Sequence, residues 1–509
     1  MPLLVNQICL RWFSPTLKRV EKSRKDPMLF QHSEFKELIH KGSDTLFGNE
    51  HRFSAIESIE SYQRSVPIRD YNAFQPYIDR LRGGENYVLW NQKAKWFAKS
   101  SGTSSDKSKF IPVTPDNLNK CHMGGFIRSL SSYLDRNPKS GILSGKALTL
   151  GGSVQLDKMS HKGAFNGDIS AILLKNSPKI AELVRTPPRE IALIANFQEK
   201  IEKICQICSK QNITNFSGVP SWNLVLIHKL LEYNNVKYLT DIWPNLELFM
   251  HGGINFEPYR SQYFELIPKD TMKYVENYNA SEGYFAFQDS ETDNSMLLTL
   301  DNGVFYEFIP VEKYEEALAG DNSSIVTVEG VQKGRRYAIV ITTNSGLWRY
   351  LIGDCVEFTS TYPHKIKIVG RTQLYINAFG EELMIGNAEN AISIASREHN
   401  ASVYEYTVAP IFMSRDHKGA HQWLIEFTDA PTDMEAFTDS LDQALASQNS
   451  DYEAKRTNDS TMLKPIVVAL KPGTFLKWME QRKKVGGQNK IPRLSNDRDY
   501  IEELLRISI

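Results

Sequence analysis

The sequence predicts an α/β protein with a large N-terminal domain of several layers and mixed sheets, followed by a smaller α+β C-terminal domain. The chain has 509 residues, well above the ~250–300 residues at which a single hydrophobic core usually stops growing. Between about residues 87 and 369, short β-rich runs alternate with amphipathic helices, which is typical of α/β layers. After Gly370 the pattern becomes a compact succession of helices and strands. We therefore expect domains at 1–375 and 376–509, joined by a hinge within 371–380.

Each part of this pattern predicts particular elements. Residues 1–86 are expected to be mainly helical, and strands are expected at 88–97 and 110–113, on either side of a polar loop. The turn sequences Asp301-Asn302-Gly303 and Asn344-Ser345-Gly346 predict two β-hairpins. Other expected elements of the large domain are a strand at 148–150, a helix at 221–232 and a strand at 246–250. In the smaller domain we expect helices at 388–397, 434–446 and 474–483 and strands at 403–411, 423–427 and 466–470.

Composition and charge exclude several classes of protein. The 60 Lys and Arg residues balance the 60 Asp and Glu residues, so no net field attracts the chain to nucleic acid or to an acidic membrane. The longest apolar runs, at 337–341 and 466–470, are far shorter than the ~20 residues of a membrane-spanning helix. Five scattered cysteines are typical of reduced thiols in a cytosol. We therefore expect a cytoplasmic protein that binds small molecules, without a nucleic-acid partner or stable membrane association.

The loop between the first two expected strands concentrates hydroxyl groups and lysines around one glycine. Its candidate phosphate-binding residues are Ser100, Ser101, Gly102, Thr103, Ser104 and Lys109. Hydroxyls and backbone N–H groups donate hydrogen bonds to phosphate oxygens, and a lysine neutralises their charge. The loop is not a Walker loop, and the nearest such sequence, at 141–147, is one residue short and ends in alanine. A polar surface loop is the alternative, but the flanking strands favour phosphate binding.

Three further segments combine polar residues or glycines with turns. Glu282, in the turn at 278–283, could bind magnesium together with substrate phosphates, and Tyr278 could stack on a base. Asp354, beside a glycine between two strand-like runs, could accept hydrogen bonds from both hydroxyls of a ribose. Gly252 and Gly253 follow a buried strand and would let a flat ligand approach the backbone. For each segment an ordinary turn is the alternative interpretation.

A basic loop at 486–493 follows the last long helix of the smaller domain. The loop is rich in glycine and contains Lys490. A lysine in such a loop could swing into a distant site, although a lysine near a C-terminus is normally just solvated. Lys490 is therefore a candidate only in combination with the other segments.

The order of these segments carries more information than any one of them. S-S-G-T-S at 100, H-G-G at 251, Y-N-A-S-E at 278, Y-L-I-G-D at 350 and G-R-T at 370 precede the late lysine. This order resembles that of the acyl-adenylate-forming superfamily and, within it, the Gretchen Hagen family of auxin-responsive acyl-acid amido synthetases in its bacterial form. The resemblance spans nearly the whole chain.

The resemblance implies a ligase that uses ATP and magnesium. A carboxylic acid would be activated as acyl-AMP with release of pyrophosphate, and the acyl group would pass to an amine, expected to be an amino acid, forming an amide. The implied nucleotide-binding residues are Ser100, Ser101, Gly102, Thr103, Ser104, Lys109, Gly252, Gly253, Tyr278, Ser281, Asp354 and the hinge-proximal Arg371. The implied catalytic residues are Glu282, as the magnesium ligand, and Lys490, which would bridge the carboxylate and the α-phosphate.

The chain also departs from the plant-type pattern of this family. Ser105 and Asp106 stand where the plant-type loop continues with glycines, which is expected to stiffen the loop. Gly380 stands where the plant-type hinge has a lysine, which removes one expected phosphate contact. The acid would bind among dispersed residues, such as 151–153 and the helix after Pro220.

Three other functions stay open at this point. An acyl-CoA ligase would use the same first step and transfer the acyl group to coenzyme A. A nucleotide-binding regulatory protein would bind ATP without turnover. A hydrolase could use a loop serine, but the sequence has no G-x-S-x-G elbow to support it.

Overall fold

The N-terminal segment is helical, as the sequence predicts. The computed structural model describes residues 2–101, 108–152, 154–156, 164–194, 196–372, 375–414, 417–459, 461–481 and 492–508. The first α-helices are α1 (Pro2–Lys25), α2 (Pro27–Gly42), α3 (Leu46–Glu50), α4 (Ile59–Ser65) and α5 (Tyr71–Arg82). Asp26, Thr45, Ser58 and Asp70 precede α2 to α5, and each side chain accepts a hydrogen bond from a backbone N–H of the first turn. Such N-caps satisfy donors that the helix leaves unpaired, and so define where each helix begins.

The strands between residues 96 and 371 form two sheets. They are β1 (Trp96–Ser101), β2 (Ser108–Val113), β3 (Lys146–Thr149), β4 (Val154–Leu156), β5 (Phe165–Gly167), β6 (Arg185–Thr186), β7 (Ile213–Gly218), β8 (Leu248–Gly252), β9 (Lys273–Ala280), β10 (Gly283–Gln288), β11 (Met296–Leu298), β12 (Val304–Pro310), β13 (Arg336–Thr343), β14 (Tyr350–Thr361) and β15 (His364–Arg371). The smaller sheet has the order β2-β1-β5-β4, and the larger has the order β12-β13-β14-β15-β11-β10-β9-β8-β7-β3-β6. In the larger sheet β6, β3, β7, β8 and β9 pair in parallel and the other neighbours are antiparallel. The prediction of mixed sheets is confirmed.

Helices cover the faces of these sheets. They are α6 (Gly124–Arg136), α7 (Ile169–Asn176), α8 (Arg189–Ala192), α9 (Phe197–Cys208), α10 (Pro220–Asn234), α11 (Leu239–Ile242), α12 (Glu257–Leu266) and α13 (Tyr314–Leu318). One layer is built on aromatic stacking: Phe216 of β7 and Phe249 of β8 lie with ring centroids 4.3 Å apart, and Tyr263 of α12 stacks on Phe249. Among the described helices, none is both long and apolar enough to cross a membrane. The strands expected near 148 and 246 and the helix expected near 221 are confirmed as β3, β8 and α10.

The strand expected at 88–97 is wrong for residues 88–95, since β1 begins at Trp96. Val88 and Leu89 are buried in irregular backbone. The carbonyl of Val88 accepts a hydrogen bond from the backbone of Phe47, and the carbonyl of Leu89 accepts one from the indole of Trp348. This run is apolar because it packs in the core, not because it pairs in a sheet.

One expected hairpin is confirmed and the other is wrong. β13 and β14 pair directly around the turn at 344–346, where Gly346 has a φ of +88° that suits glycine. The turn at 301–303 does not join a hairpin, because β11 pairs with β10 and β15 whereas β12 pairs with β13. Asp301 instead forms an ion pair with Arg128 of α6 at 2.9 Å, and the turn carries the chain from β11, inside the sheet, to the edge strand β12.

The C-terminal part has the expected α+β pattern. Its elements are β16 (Tyr375–Ile376), β17 (Leu383–Met384), α14 (Ile385–Glu398), β18 (Ser402–Ile411), β19 (Ala420–Asp429), α15 (Met434–Gln448), α16 (Ser450–Arg456), β20 (Ile466–Leu470), α17 (Thr474–Gln481) and α18 (Asp499–Ser508). β18, β19 and β20 form one sheet, with β18 and β19 antiparallel and β19 and β20 parallel. The helices and strands expected here are all present. Two helices, α16 and α18, were not expected.

Candidate active site

Parallel strands of the large sheet end along one edge, and this is the edge at which open α/β sheets bind ligands. Gly252 is the last residue of β8 at this edge. A Cβ atom on Gly252 would lie 2.2 Å from the carbonyl oxygen of Asn277 on β9, and Gly253 has a φ of +85°. Backbone geometry therefore requires glycine at both positions. Contact of this glycine pair with a nucleotide stays a prediction.

Asp354 is the centre of a buried hydrogen-bonded cluster. It lies on β14 directly opposite Arg371 at the end of β15. The Arg371 Nε–H group donates to one carboxylate oxygen at 2.7 Å, and the Tyr278 hydroxyl donates to the other at 2.5 Å. Burial, followed by the charge of Asp354, raises the pKa of Tyr278 well above its usual value, so this hydroxyl stays a donor. A carboxylate has about four acceptor positions, and these two bonds leave room for further donors.

Lys109 and Glu282 form a second pair beside the first. Both side chains are buried. Burial lowers the pKa of Lys109 and raises that of Glu282, and the charge of each group opposes the shift of the other. The Tyr350 hydroxyl donates to a Glu282 carboxylate oxygen at 3.3 Å. The arrangement places one ammonium and one carboxylate in a site of low dielectric, where each interacts strongly with a charged ligand.

Glu382 links the two pairs. Its carboxylate lies 3.6 Å from the guanidinium of Arg371, and its charge acts on both Lys109 and Glu282. Burial disfavours the charged form of Arg371, but Asp354 and Glu382 more than compensate and raise its pKa well above the usual value. Lys109, Glu282, Asp354 and Arg371 therefore belong to one site, although 262 positions separate the first from the last in the chain.

A π-helical turn, Asn117–Met123, supports the turn that carries Ser281 and Glu282. The Asn117 side-chain amide donates to the carbonyl of Glu282 at 3.4 Å. His122 is buried, and burial lowers its pKa to about 4 despite a hydrogen bond with the backbone of Ser281. Among the described residues, nothing contacts its Nε2 atom by a hydrogen bond. Single π-helical turns often occur at functional sites because they displace side chains from regular helical positions.

Several candidate residues lie outside the described parts of the chain. Ser100 and Ser101 are described as backbone at the end of β1, where they pair with Lys109 and Ser108 of β2. Gly102, Thr103, Ser104, Ser105, Asp106 and Lys490 lie outside the described residues. The residues on either side of the candidate phosphate-binding segment therefore pair in one antiparallel ladder, with Lys109 on β2.

One carboxylate of this site, that of Glu282, is suited to bind magnesium. No group of three or more His, Cys, Asp or Glu side chains capable of holding a metal is present in the described part of the chain. Glu282 is buried beside Lys109, and Asp354 is already engaged by Tyr278 and Arg371. This donor set fits magnesium only in the company of phosphate oxygens, which is how proteins commonly bind this ion with nucleotides.

The segment that follows Arg371 is docked onto the large sheet. The Trp222 indole N–H group, on α10, donates to the carbonyl of Phe379 at 3.1 Å. The Asn377 side-chain amide donates to the carbonyl of Gly253, also at 3.1 Å. These contacts join the start of the C-terminal part to the edge of the sheet where the candidate residues lie.

Glu381 stabilises the same turn from the other side. Its carboxylate accepts hydrogen bonds from the backbone N–H groups of Ala378 at 3.1 Å and Phe379 at 2.6 Å, and from the His421 ring at 2.8 Å. Glu381 and His421 are fully buried. These hydrogen bonds attach the turn at 378–381 to the C-terminal core.

Sequence reasoning missed several residues that the structure places in the site. Tyr350 is the first residue of the Y-L-I-G-D segment, so its place beside Asp354 in that segment could have indicated that it belongs to the site. Glu382 follows the expected hinge, and its acidic side chain alone gave no sign of the contact with Arg371. His122 and Asn117 carried no signal, because a polar residue on a helix is usually solvated.

Comparison with known proteins identifies the family. The model of the GH3 family N-terminal domain matches residues 16–163 and 153–272, that of the central domain 297–371, and that of the C-terminal domain 386–499. Indole-3-acetic acid-amido synthetase GH3.8 of Oryza sativa subsp. indica is 23% identical over 522 aligned positions, covering 85% of this chain and 82% of that protein. Indole-3-acetic acid-amido synthetase GH3.3 of Arabidopsis thaliana is 20% identical, covering 94% of this chain and 91% of the relative.

Solved structures share the fold. GH3.15 acyl acid amido synthetase superposes with a TM-score of 0.60 at 18% identity, covering 97% of this chain and 95% of the other. A 2-hydroxyisobutyryl-CoA ligase, in complex with 2-HIB-AMP and CoA, superposes with a TM-score of 0.52 at 12% identity, covering 97% and 92%. The fold is thus that of the acyl-adenylate-forming ligases, with a charged cluster buried at the edge of its main sheet. Within that class, this chain belongs to the GH3 family, as the order of its motifs predicted.

Proposed function

We propose that this protein is an acyl acid amido synthetase, which activates a carboxylic acid with ATP and transfers the acyl group to an amine, expected to be an amino acid. The observation that carries the proposal is the convergence of Lys109, Tyr278, Glu282, Asp354 and Arg371 in one buried site at the edge of the main sheet. The names of the curated relatives, as amido synthetases, support the second step.

Asp354 would bind the ribose of ATP. Its two carboxylate oxygens are held in place by Tyr278 and Arg371, at 2.5 and 2.7 Å, and still have acceptor positions free for hydroxyl donors. Because the carboxylate is oriented before the nucleotide arrives, little ordering would be needed on binding. Gly252 and Gly253 would lie against the nucleotide, with the Tyr278 ring near its base.

The phosphates would bind between the loop at 100–104 and Lys109. The loop supplies hydroxyl and backbone donors, and Lys109 returns from it on β2 as a buried cation. Ser281 would add a hydroxyl from the opposite side. Magnesium, held by Glu282 together with phosphate oxygens, would neutralise part of the phosphate charge. Positioning and charge neutralisation, more than covalent catalysis, are what such a reaction requires.

The chemistry would proceed in two steps. A carboxylate oxygen of the acid attacks the α-phosphorus of ATP, the bond to the pyrophosphate oxygen breaks, and acyl-AMP forms. The unprotonated nitrogen of the amine then attacks the acyl carbon and displaces AMP, with loss of one proton from the nitrogen. Lys490 would neutralise the negative charge shared by the carboxylate and the α-phosphate during the first step.

We propose that residues 1–375 and 376–509 are the two functional domains, with a hinge within 371–380. Rotation of the C-terminal domain would withdraw Lys490 and open the acyl-AMP to the amine, as hinge mechanisms do. Such a rotation must break the contacts of Trp222 with Phe379 and of Asn377 with Gly253. The five unpaired thiols support a cytoplasmic location.

A panel of acceptors tests the second step. The protein is incubated with ATP, magnesium and a panel of aromatic, fatty, hydroxy and indole-3-acetic acids, each with either the amino acids or coenzyme A. The proposal predicts amide products in an amino-acid arm. Thioester without amide would instead support the second candidate, an acyl-CoA ligase, which the likeness to 2-hydroxyisobutyryl-CoA ligase favours.

Exchange of labelled pyrophosphate into ATP tests the first step. The exchange should require a carboxylic acid, because only formation of acyl-AMP makes the release of pyrophosphate reversible. A folded protein that binds ATP but supports no exchange with any acid would be a nucleotide-binding protein without turnover, and the proposal would be wrong.

A further inference from the structure

Few lysines in the described part of the chain are buried. Of the lysines that the structure describes, Lys109, Lys200 and Lys455 are buried, with 8%, 2% and 5% of their surface exposed. Lys109 faces the phosphate side. Lys200 donates hydrogen bonds to the carbonyls of Gly151 and Gly152, at 2.7 and 3.2 Å, at the end of β3. Lys455 is the member of this set that the C-terminal part of the chain provides.

Lys455 lies against the hinge segment and the start of α10. Its Nζ atom is 4.2 Å from the centre of the Trp222 ring, within range of a cation–π interaction. A Cβ atom on Gly380 would lie 3.4 Å from the Lys455 Cε atom and 3.8 Å from its Nζ atom. The Lys455 ammonium therefore lies beside Gly380.

Lys455 belongs to the short helix α16, which contacts two other parts of the structure. Asn449, just before α16, donates from its side-chain amide to the carbonyls of Glu381 at 2.8 Å and Glu382 at 3.2 Å. Glu382 in turn pairs with Arg371 of the nucleotide cluster. α16 also packs against β1, the strand that leads into the phosphate loop. α16 thus positions Lys455 beside the segment that contains Glu381 and Glu382, and near β1.

The described cations of the site are already offset by carboxylates, and Lys490 is the only further cation assigned so far to the reacting groups. Lys109 and Arg371 are the cations of the described cluster, and they face the carboxylates of Glu282, Asp354 and Glu382. Arg371 is engaged by two of these carboxylates, and Lys109 is offset by Glu282. A carboxylic acid must nevertheless approach the negatively charged α-phosphate as an anion. A cation on the acid side would offset this repulsion, and Lys455 is placed beside α10, where the acid is expected.

We propose that Lys455 binds the carboxylate of the acid substrate and orients it for attack on the α-phosphate. The inference rests on the proposed function and specifies the acid subsite of the same centre. It makes that subsite selective for an ionised carboxylate, independent of the shape of the rest of the acid.

Lys455→Met tests the proposal, because it removes the ammonium and retains a flexible apolar side chain. Pyrophosphate exchange is measured with the acid that gives the wild-type protein its fastest exchange, varying the acid and ATP separately. We expect the acid concentration for half-maximal exchange to rise about 10- to 100-fold, as for loss of one hydrogen bond to a charged group. The corresponding ATP concentration should change less than about threefold, and Lys455→Arg should recover part of the loss.

Arg456→Met is the matched control. It removes the neighbouring cation of α16, whose guanidinium pairs with Asp442 at 2.6 Å within the C-terminal part. This variant should have a lower melting temperature, yet the acid dependence of its exchange should match that of the wild-type protein.

An unchanged acid dependence in folded Lys455→Met, or an equal rise for acid and ATP, would overturn the assignment and leave the proposed function standing. The same holds if Arg456→Met behaves like Lys455→Met, since both would then act through stability. A wild-type protein that exchanges with none of the acids would overturn the proposed function itself, and the inference with it.

Discussion

Asp354→Asn should remove most of the preference of this protein for ATP over 2′-deoxy-ATP. The Asp354 carboxylate accepts one hydrogen bond from Tyr278 at 2.5 Å and one from Arg371 at 2.7 Å, and its free acceptor positions are assigned to the ribose. A hydroxyl that donates to a charged group contributes about 1.5–3 kcal/mol, and a neutral pair contributes about 0.5–1.5 kcal/mol. The wild-type protein should therefore bind ATP about 10- to 150-fold more tightly than 2′-deoxy-ATP, and the variant about 2- to 10-fold.

Isothermal titration of both nucleotides to both proteins measures this effect. The ratio of the two dissociation constants is taken within one protein, so any loss of stability from leaving Arg371 without its charged partner cancels. Glu382→Gln is the control, because it removes the other carboxylate near Arg371 but touches no assigned ribose position. Its ratio should match that of the wild-type protein.

Two results would refute the assignment of Asp354. The first is a wild-type protein that binds both nucleotides equally. The second is a folded Asp354→Asn variant that keeps the full preference for the ribose hydroxyl. Either result would mean that Asp354 serves only to pair with Arg371 and Tyr278.

Three further variants test the roles of Lys109, Gly252 and Glu276. Lys109→Met should weaken the binding of ATP about 10- to 100-fold but that of AMP only a few-fold, because Lys109 is proposed to bind the phosphates beyond the first. Equal losses in titrations of both nucleotides would contradict that role. Gly252→Ala should lower the free energy of unfolding by about 1–3 kcal/mol, because its Cβ atom would lie 2.2 Å from the Asn277 carbonyl oxygen. An unchanged denaturant midpoint would show that the backbone at this edge of the sheet can shift without loss of stability. Burial, followed by the charge of Glu257, raises the pKa of the Glu276 carboxyl from 4.5 to about 7, so the folded state binds this proton more tightly than the unfolded state. The free energy of unfolding should therefore fall by on the order of 3 kcal/mol as the pH rises from 4.5 to 7. In Glu276→Gln the melting temperature should lose this part of its pH dependence. A pH profile of the melting temperature identical to that of the wild-type protein would contradict the raised pKa of Glu276.

The sequence predicted elements more reliably than it predicted their neighbours. Turn residues at 301–303 and 344–346 have the same local chemistry, and both do end a strand. Only the second joins strands that pair, because Asp301 is held by Arg128 and by Arg19, which lie far from it in the chain. Those two ion pairs come from helices on another part of the fold, and no local pattern could have indicated them.

The site shows the same limit. Lys109, Glu282 and Asp354 could be proposed from the order of their motifs, because each motif contains the residue types that a nucleotide requires. Glu382 and Lys455 could not, since charged residues in polar segments are normally solvated, and their burial depends on how the C-terminal part docks. α16 was missed for a related reason: its sequence is mostly polar, and its position depends on the contacts of Asn449 and Lys455.

An oxygen label in the acid shows whether this site joins a carboxylate oxygen to the α-phosphorus of ATP. The acid is supplied with both carboxyl oxygens as ¹⁸O, together with ATP and the amino acid that gives an amide, and the nucleotide product is analysed by mass spectrometry. We expect one ¹⁸O atom in AMP for each amide formed, because the attacking oxygen stays bonded to phosphorus when the amine displaces AMP. Label in inorganic phosphate alongside ADP, or unlabelled AMP beside an amide product, would contradict it.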